Sequence, residues 1–387
     1  MSHNDAYFIA AQSGITPVGV GYPGSAKTAT IQAFARAVGR KCYTLIGSLR
    51  DPADIGGYPT LDKRVTVNGE TVFMRLAAPE YAVNCLDGSK WVLFIDELTT
   101  VPPAVQAALL RVIAERVVGD LPLPSDTWIL GAANPPTIAA NGFELEPPMA
   151  NRVCHLQWKM DWDAWDSGLM AGLDFPAPKF PVLPEGWENG LSGTAALVAA
   201  FRKRKPSAFE PDVDNSGNLK MDRAKMSGPW PSPRSWTMAI RALAAAESVK
   251  ADNGVQFDLV AGCVGDGAAK EFAEWRDKLD LPDPEEMIEG AIKARKKKTA
   301  IPYTHPNRPD KTIAVLGSVA SAVLRNTTPE RWEAGMLLIN EAAKYELDVA
   351  CVCAKPLATL AVSRKDIQVP PEVISTLFGP LMRAMGK

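Results

Sequence analysis

Eight consecutive residues, Gly21-Tyr22-Pro23-Gly24-Ser25-Ala26-Lys27-Thr28, have the types and spacing to hold phosphate. Glycines at the first and fourth positions let the backbone curl so that its N–H groups face an anion, and a helix opening at Lys27 adds the positive end of its dipole. Lys27 would then reach the β- and γ-phosphates of a nucleotide, and the Thr28 hydroxyl would hold magnesium. Ala26 stands where the generic pattern has glycine. About seventy residues later, Trp91-Val92-Leu93-Phe94-Ile95 reads as a buried strand that delivers Asp96 and Glu97 to its carboxyl end. Asp96 there can bind magnesium through water, and Glu97 can orient and polarise the water that attacks the γ-phosphate. Another strand ends at Asn134, an amide able to touch both that water and the phosphate, although an asparagine before prolines, taken alone, is more often a plain turn residue.

Two arginines complete the set. Arg152 closes the run Met149-Ala150-Asn151-Arg152. Arg234 follows Ser232-Pro233, a helix start with serine as N-cap and proline in the first helical position. A cation in that first turn opposes the helix dipole, so an anionic partner for Arg234 is expected.

The elements that must position these groups follow from the apolar periodicity. Runs rich in β-branched residues, Thr16 to Val20, Cys42 to Gly47, Trp91 to Ile95 and Thr127 to Ala132, alternate with helical patterns. Lys27 to Val38 puts Ile31, Phe34, Ala35 and Val38 on one face, and Val105, Leu109, Val112 and Ile113 mark a second helix. Strands alternating with helices predict an α/β unit built on a parallel sheet. From Asp161 to Pro233 prolines, tryptophans and glycines crowd around one helical island, Thr194 to Lys203. Beyond Ser232 the patterns are helical: Arg234 to Lys250, Ala268 to Leu279, Pro284 to Arg295, Ala314 to Leu324, Pro329 to Glu346 and Pro371 to Met385. The expected division is therefore 1–158 for the α/β domain, 159–231 for a linker and irregular start of a lid, and 232–387 for helices.

Composition narrows the class. The 387 residues carry 42 Lys and Arg against 44 Asp and Glu, a formal charge of −2, which gives no support to a surface built to coat nucleic acid. Apolar residues at 47% and charged residues at 22% exclude a disordered or collagen-like chain. No apolar run reaches the roughly 18 residues that span a bilayer, and Met1-Ser2-His3-Asn4-Asp5 lacks a charged-then-apolar leader, so a cytoplasmic location is expected. The six cysteines are scattered, with only Cys351 and Cys353 close, which reads as free thiols and not as a zinc site.

On the loop, the paired acids, Asn134 and the two arginines, the sequence resembles the MoxR branch of AAA+ ATPases, relatives of the motor subunits of magnesium and cobalt chelatases. The resemblance runs from about Pro17 to the region of Pro284 and is strongest from Gly21 to Val153. In that family the loop often has alanine before the lysine, as Ala26 does here. The resemblance implies a nucleotide-binding role for Gly21, Pro23, Gly24, Ser25, Ala26, Lys27, Thr28 and Arg234, with ATP and Mg2+ as cofactors and Arg234 as the contact that senses the γ-phosphate when lid moves against core. It makes Asp96-Glu97 the Walker B pair, Asn134 sensor 1, Arg152 the finger offered to a neighbouring subunit, and Arg234 sensor 2. It implies an AAA+ P-loop core followed by an all-α lid and C-terminal helical region, assembled as a ring, expected to be a hexamer. The ring would act on a protein partner, in this family often one with a von Willebrand factor A domain. Asp51-Pro52-Ala53-Asp54-Ile55-Gly56-Gly57 resembles the start of the family's helix-2 insert, near 51–80.

Read from its residues, that insert has a hairpin: Val65-Thr66-Val67 and Thr71-Val72-Phe73 flank Asn68-Gly69-Glu70. Arg116 to Leu123 reads as a second hairpin. Either could contact a partner or be plain surface. The basic runs Arg202-Lys203-Arg204-Lys205 and Arg295-Lys296-Lys297-Lys298 read as solvated helix ends. Two other functions fit a phosphate loop: a DNA- or RNA-remodelling ATPase, which needs a basic pore and a steep salt dependence, and a low-turnover nucleotide-dependent scaffold, against which the Asp96-Glu97 pair argues. A metabolic kinase would need neither hairpin nor Arg234.

Overall fold

The computed structural model describes residues 4–60, 75–135, 137–138, 142–173, 175–211, 223–364 and 366–378. Five strands, β1 (Pro17–Val20), β2 (Lys41–Ile46), β5 (Trp91–Asp96), β8 (Trp128–Ala133) and β9 (Cys154–Gln157), form one sheet in the order β2-β5-β8-β1-β9, parallel throughout. Two antiparallel pairs stand apart from it: β3 (Tyr58–Thr60) with β4 (Arg75–Ala77), and β6 (Val117–Val118) with β7 (Leu121–Pro122). The second pair is the hairpin expected at Arg116 to Leu123. The Asn68-Gly69 hairpin lies outside the described residues, and β3 and β4 lead into and out of that segment.

The helices are α1 (Asp5–Gln12), α2 (Lys27–Ala37), α3 (Pro52–Gly56), α4 (Glu80–Asn84), α5 (Pro103–Glu115), α6 (Pro147–Ala150), α7 (Trp162–Met170), α8 (Leu191–Arg204), α9 (Arg223–Met226), α10 (Pro233–Ser248), α11 (Asn253–Val264), α12 (Asp266–Asp277), α13 (Pro284–Lys297), α14 (Pro309–Arg325), α15 (Pro329–Ala343), α16 (Leu347–Ser363) and α17 (Pro371–Val373). A π-turn, Ile374–Phe378, follows the last of them, and the rest of the helix expected to Met385 lies outside the described residues.

Two compact units result. The first comprises residues 1–182, 211–242 and 251–266, and the second 183–210, 243–250 and 267–387. In the first, a parallel sheet covered by helices buries strands on both faces, which is why Val92, Leu93, Phe94 and Ile95 are all fully buried. Val105, Leu109 and Val112 of α5 pack into the same core as Leu93 and Ile95. The N-terminal helix α1 is anchored from within: Tyr7 Oη donates to the Gly131 carbonyl of β8 at 3.0 Å, and its ring meets Trp158 edge-on. In the second unit Trp332, fully buried, donates its indole N–H to the Leu357 carbonyl at 2.9 Å and so ties α15 to α16. Close approach of α8 and α14 rests on small residues, since a Cβ on Gly317 would fall 2.1 Å from that of Ala196.

Candidate active site

Three strand ends meet. The phosphate loop leaves β1, the acids leave β5 and Asn134 leaves β8, and in a parallel sheet all three carboxyl ends lie along one edge. The loop turns at Gly24 (φ 79°) and enters α2 through Ala26 in the left-handed region (φ 55°). Non-glycine residues occupy that region at a cost, so the loop is a shape imposed by its surroundings. Part of that surrounding is Trp158, directly after β9. Its indole N–H donates to the Ser25 carbonyl at 3.1 Å, and its side chain covers Gly21, where a Cβ would come within 2.9 Å of the Trp158 Cβ. Ser25 turns its own hydroxyl back onto the Tyr22 carbonyl at 2.7 Å, and Pro23 is exposed at the turn.

Lys27 is buried, and its ammonium donates to the carbonyls of Gly21 (2.7 Å) and Tyr22 (2.9 Å) and to Asn134 Oδ1 (3.0 Å). Desolvation lowers its pKa, opposed by the nearby Asp96 charge. The Thr28 hydroxyl donates to Asp96 Oδ2 at 2.6 Å, and the other Asp96 oxygen accepts from the Glu97 amide at 2.9 Å. Hydroxyl and carboxylate oxygens brought together are the hard donors that Mg2+ prefers, so these two residues fit the ion their spacing suggested. Glu97 is itself left-handed (φ 61°), and its Oε2 accepts from Ser48 Oγ at 2.5 Å. Asn134 is fixed by Thr99, whose hydroxyl donates to the Asn134 carbonyl at 2.8 Å and accepts from its amide at 3.2 Å.

Lys27 thus gathers Gly21, Tyr22 and Asn134 in one hydrogen-bonded set, and Thr28 gathers Asp96 and, through it, Glu97 in another; because Lys27 and Thr28 are consecutive, the two sets lie side by side at the start of α2. Arg152 and Arg234 are not joined to either by any hydrogen bond or ion pair among the described residues. They form a separate group. Arg152 donates to the Pro148 carbonyl at 2.7 Å, and its pKa is lowered first by burial and then by the positive charge of Arg234. The segments carrying the two arginines are bolted together: Asn151 Nδ2 donates to the Trp230 carbonyl (3.0 Å), Ser232 Oγ donates to Asn151 Oδ1 (2.7 Å), and Ser235 Oγ donates to the Trp230 carbonyl (2.9 Å).

Beside the loop, a cavity of about 440 Å³ runs along α2, with Ala26, Ala29 and Ala33 as a flat floor and Trp158, Trp165 and Phe175 among its walls. Arg36, Lys159, Asp161 and Lys179 line it as well, and its flat alanine floor with aromatic walls and polar edge suits a flat heterocycle continuing from phosphates held in the loop. Sequence reasoning missed this cavity, as it missed Ser48, Thr99 and Trp158. The only signal was the alanine spacing of three and four on α2, which leaves one helical face without bulk.

Residues 20–151 match the family description of the AAA domain, dynein-related subfamily. The parallel sheet with flanking helices, followed by a helical region, is the AAA fold, and such a domain implies nucleotide binding. No curated protein matches the chain. Among solved structures, a Cytophaga hutchinsonii protein provisionally assigned as an ATPase is similar at 15% identity, with a TM-score of 0.40 over 66% of this chain and 78% of that one. Among the described residues, no helix is long and apolar enough to cross a membrane.

Proposed function

We propose that this protein is an ATP-hydrolysing ring motor of the MoxR type that remodels or activates a protein partner. The observation that carries the reading is the pair of hydrogen-bonded sets at one sheet edge: Lys27 with Asn134, and Thr28 with Asp96. Those contacts join the phosphate-binding, metal-binding and water-orienting groups of three separate strands. Lys27 exchanges its carbonyl and amide partners for phosphate oxygens when the nucleotide enters. Thr28 and Asp96 would hold Mg2+, which would supply neutralisation of phosphate charge. Asn134, released by Lys27, is free to orient the attacking water, and Glu97 accepts that water's proton. Adenine lies in the cavity along α2.

Arg152 and Arg234 serve a different nucleotide. The positive charge of Arg234 adds to burial in lowering the Arg152 pKa, and an anion bound near both would offset that repulsion. The separation of the two arginines from the loop's hydrogen-bonded sets supports their acting together on the phosphates of a neighbouring copy. A site completed by a neighbour exists only at an interface, and identical head-to-tail interfaces close into rings. The partner's nature, a von Willebrand factor A domain included, rests on the sequence resemblance.

The test is subunit mixing. Arg152→Ala leaves a subunit with its own pocket intact, and Lys27→Ala leaves one unable to bind ATP but able to donate arginine. A finger is worth roughly 10³ to 10⁵ in rate, so each variant alone is nearly silent and the mixture regains measurable hydrolysis. A folded Arg152→Ala protein with wild-type hydrolysis refutes the trans role.

A further inference from the structure

Two exposed surfaces, one in each unit, differ in charge: one is acidic and apolar, the other an apolar groove with a basic end. The first is α7 with the chain just after it. Trp162 (64% exposed), Leu169 and Met170 (87% exposed) lie seven and eight residues apart, two helical turns along one face, and Leu173 extends the stripe. Gly168 is covered by Phe175, so the helix is supported from behind while its apolar face meets solvent. Its charges are of one sign: Asp161, Asp163 and Asp166, with neither lysine nor arginine from 161 to 178. A contiguous apolar face of this kind marks an interaction site.

The second surface is a groove of about 460 Å³ between α8 and α16, floored by α14. Ala195, Ala199, Gly317 and Ala320 leave a trough, and Val352 (71% exposed) and Pro356 form its far wall. Lys203 lines it, within the basic last turn Arg202, Lys203, Arg204 of α8. Asp348 is a lining carboxylate of opposite sign.

We propose that the acidic, aromatic face of α7 in one copy of this chain docks in the α8–α16 groove of the next. Trp162 and Met170 fill the trough, and the aspartates meet the basic end of α8. Two different surfaces joined in this way make a heterologous contact, the kind that propagates from copy to copy. The docking rests on the ring reading above and gives it an address. Because Trp165 and Phe175 also wall the cavity beside the phosphate loop, occupancy of that cavity bears directly on the docking helix.

The experiment uses the full chain with ATP and a short bis-maleimide crosslinker. Met170→Cys and Val352→Cys place thiols at exposed positions, and the wild type, whose own cysteines are buried or half-buried, is the blank. Mixing the two single variants is expected to give a crosslinked dimer that goes no further, whereas the double variant gives a ladder. Val352→Glu, which sets a like charge against the α7 aspartates, is expected to raise the concentration for half-assembly about tenfold or more, and Val352→Lys is expected to leave it near wild type. No dimer from the mixed singles, or only an intramolecular crosslink in the double variant, overturns the docking. If the Arg152→Ala and Lys27→Ala mixture still regains hydrolysis, the ring stands and this contact alone is wrong. If that mixture is also silent, both fall.

Discussion

Ser48 offers the sharpest test of how Glu97 is used. The sheet order β2-β5-β8-β1 puts β5 between the strand that leads to Ser48 and the strands that lead to Asn134 and the phosphate loop. A Glu97 carboxylate bonded to Ser48 is therefore drawn toward β2, away from the loop. A hydroxyl-to-carboxylate hydrogen bond contributes roughly 1.5–3 kcal/mol. At an exposed site water replaces part of this, so Ser48→Ala should release about 1.4 kcal/mol, which is tenfold in population. If the released carboxylate is the one that meets water, steady-state phosphate release at saturating ATP rises by up to about tenfold. KM should change little, since the Ser48 hydroxyl is bonded to Glu97 and, among the described residues, hydrogen-bonds neither the loop nor the Asp96 carboxylate, and Ser48→Thr should behave as wild type. Turnover that is unchanged or lower in Ser48→Ala would refute the argument and make Ser48 a productive support for Glu97.

Lys27→Ala should lose nucleotide affinity, whereas Glu97→Gln should keep affinity and lose turnover; equal binding loss by calorimetry in both would contradict the division of roles. Gly21→Ala drives a methyl to within 2.9 Å of the Trp158 Cβ, and should cost about 1–3 kcal/mol in urea unfolding together with weaker nucleotide binding. Burial pushes the His155 imidazole below its ordinary pKa, against a contact with the Ala150 carbonyl at 2.9 Å. The unfolded chain thus takes up the proton first as pH falls, so this contribution is full above about pH 6.5 and declines below it. His155→Gln should flatten the stability loss as pH falls below about 6.5, and an unaltered slope there would exclude His155 as its source.

The central strands and the loop were legible because their chemistry is local. Trp91 to Ile95 is a continuous apolar run, and glycine, lysine and threonine in the loop act at fixed offsets. The edge strand Cys154–Gln157 was not read, because four residues with a histidine and a glutamine carry little pattern and their pairing with β1 is set by register alone. Helix α11 was missed because it is apolar on nearly every side, and α16 because Pro356 stands inside it. The α7 helix was hidden among prolines and glycines. Within the site, Ser48, Thr99 and Trp158 act by tertiary contact and belong to no motif, so their roles emerge only once β2, β5 and β9 are aligned.

The placement of β1 also governs when the site can exist during synthesis. Val20, at the root of the phosphate loop, pairs on one side with Ala133 and on the other with Gln157. The nascent chain therefore makes the loop early and must wait for more than a hundred further residues before either flanking strand emerges. At roughly 5–20 residues per second that delay is on the order of 10 s. Throughout it the glycine-rich loop lacks both Trp158 and Asn134, so ATP can act as a folding ligand only after β9 (Cys154–Gln157) has left the ribosome, with more than half of the 387 residues still to follow. Truncations that stop short of Gln157 would leave the phosphate-binding sequence intact and its receptor unmade.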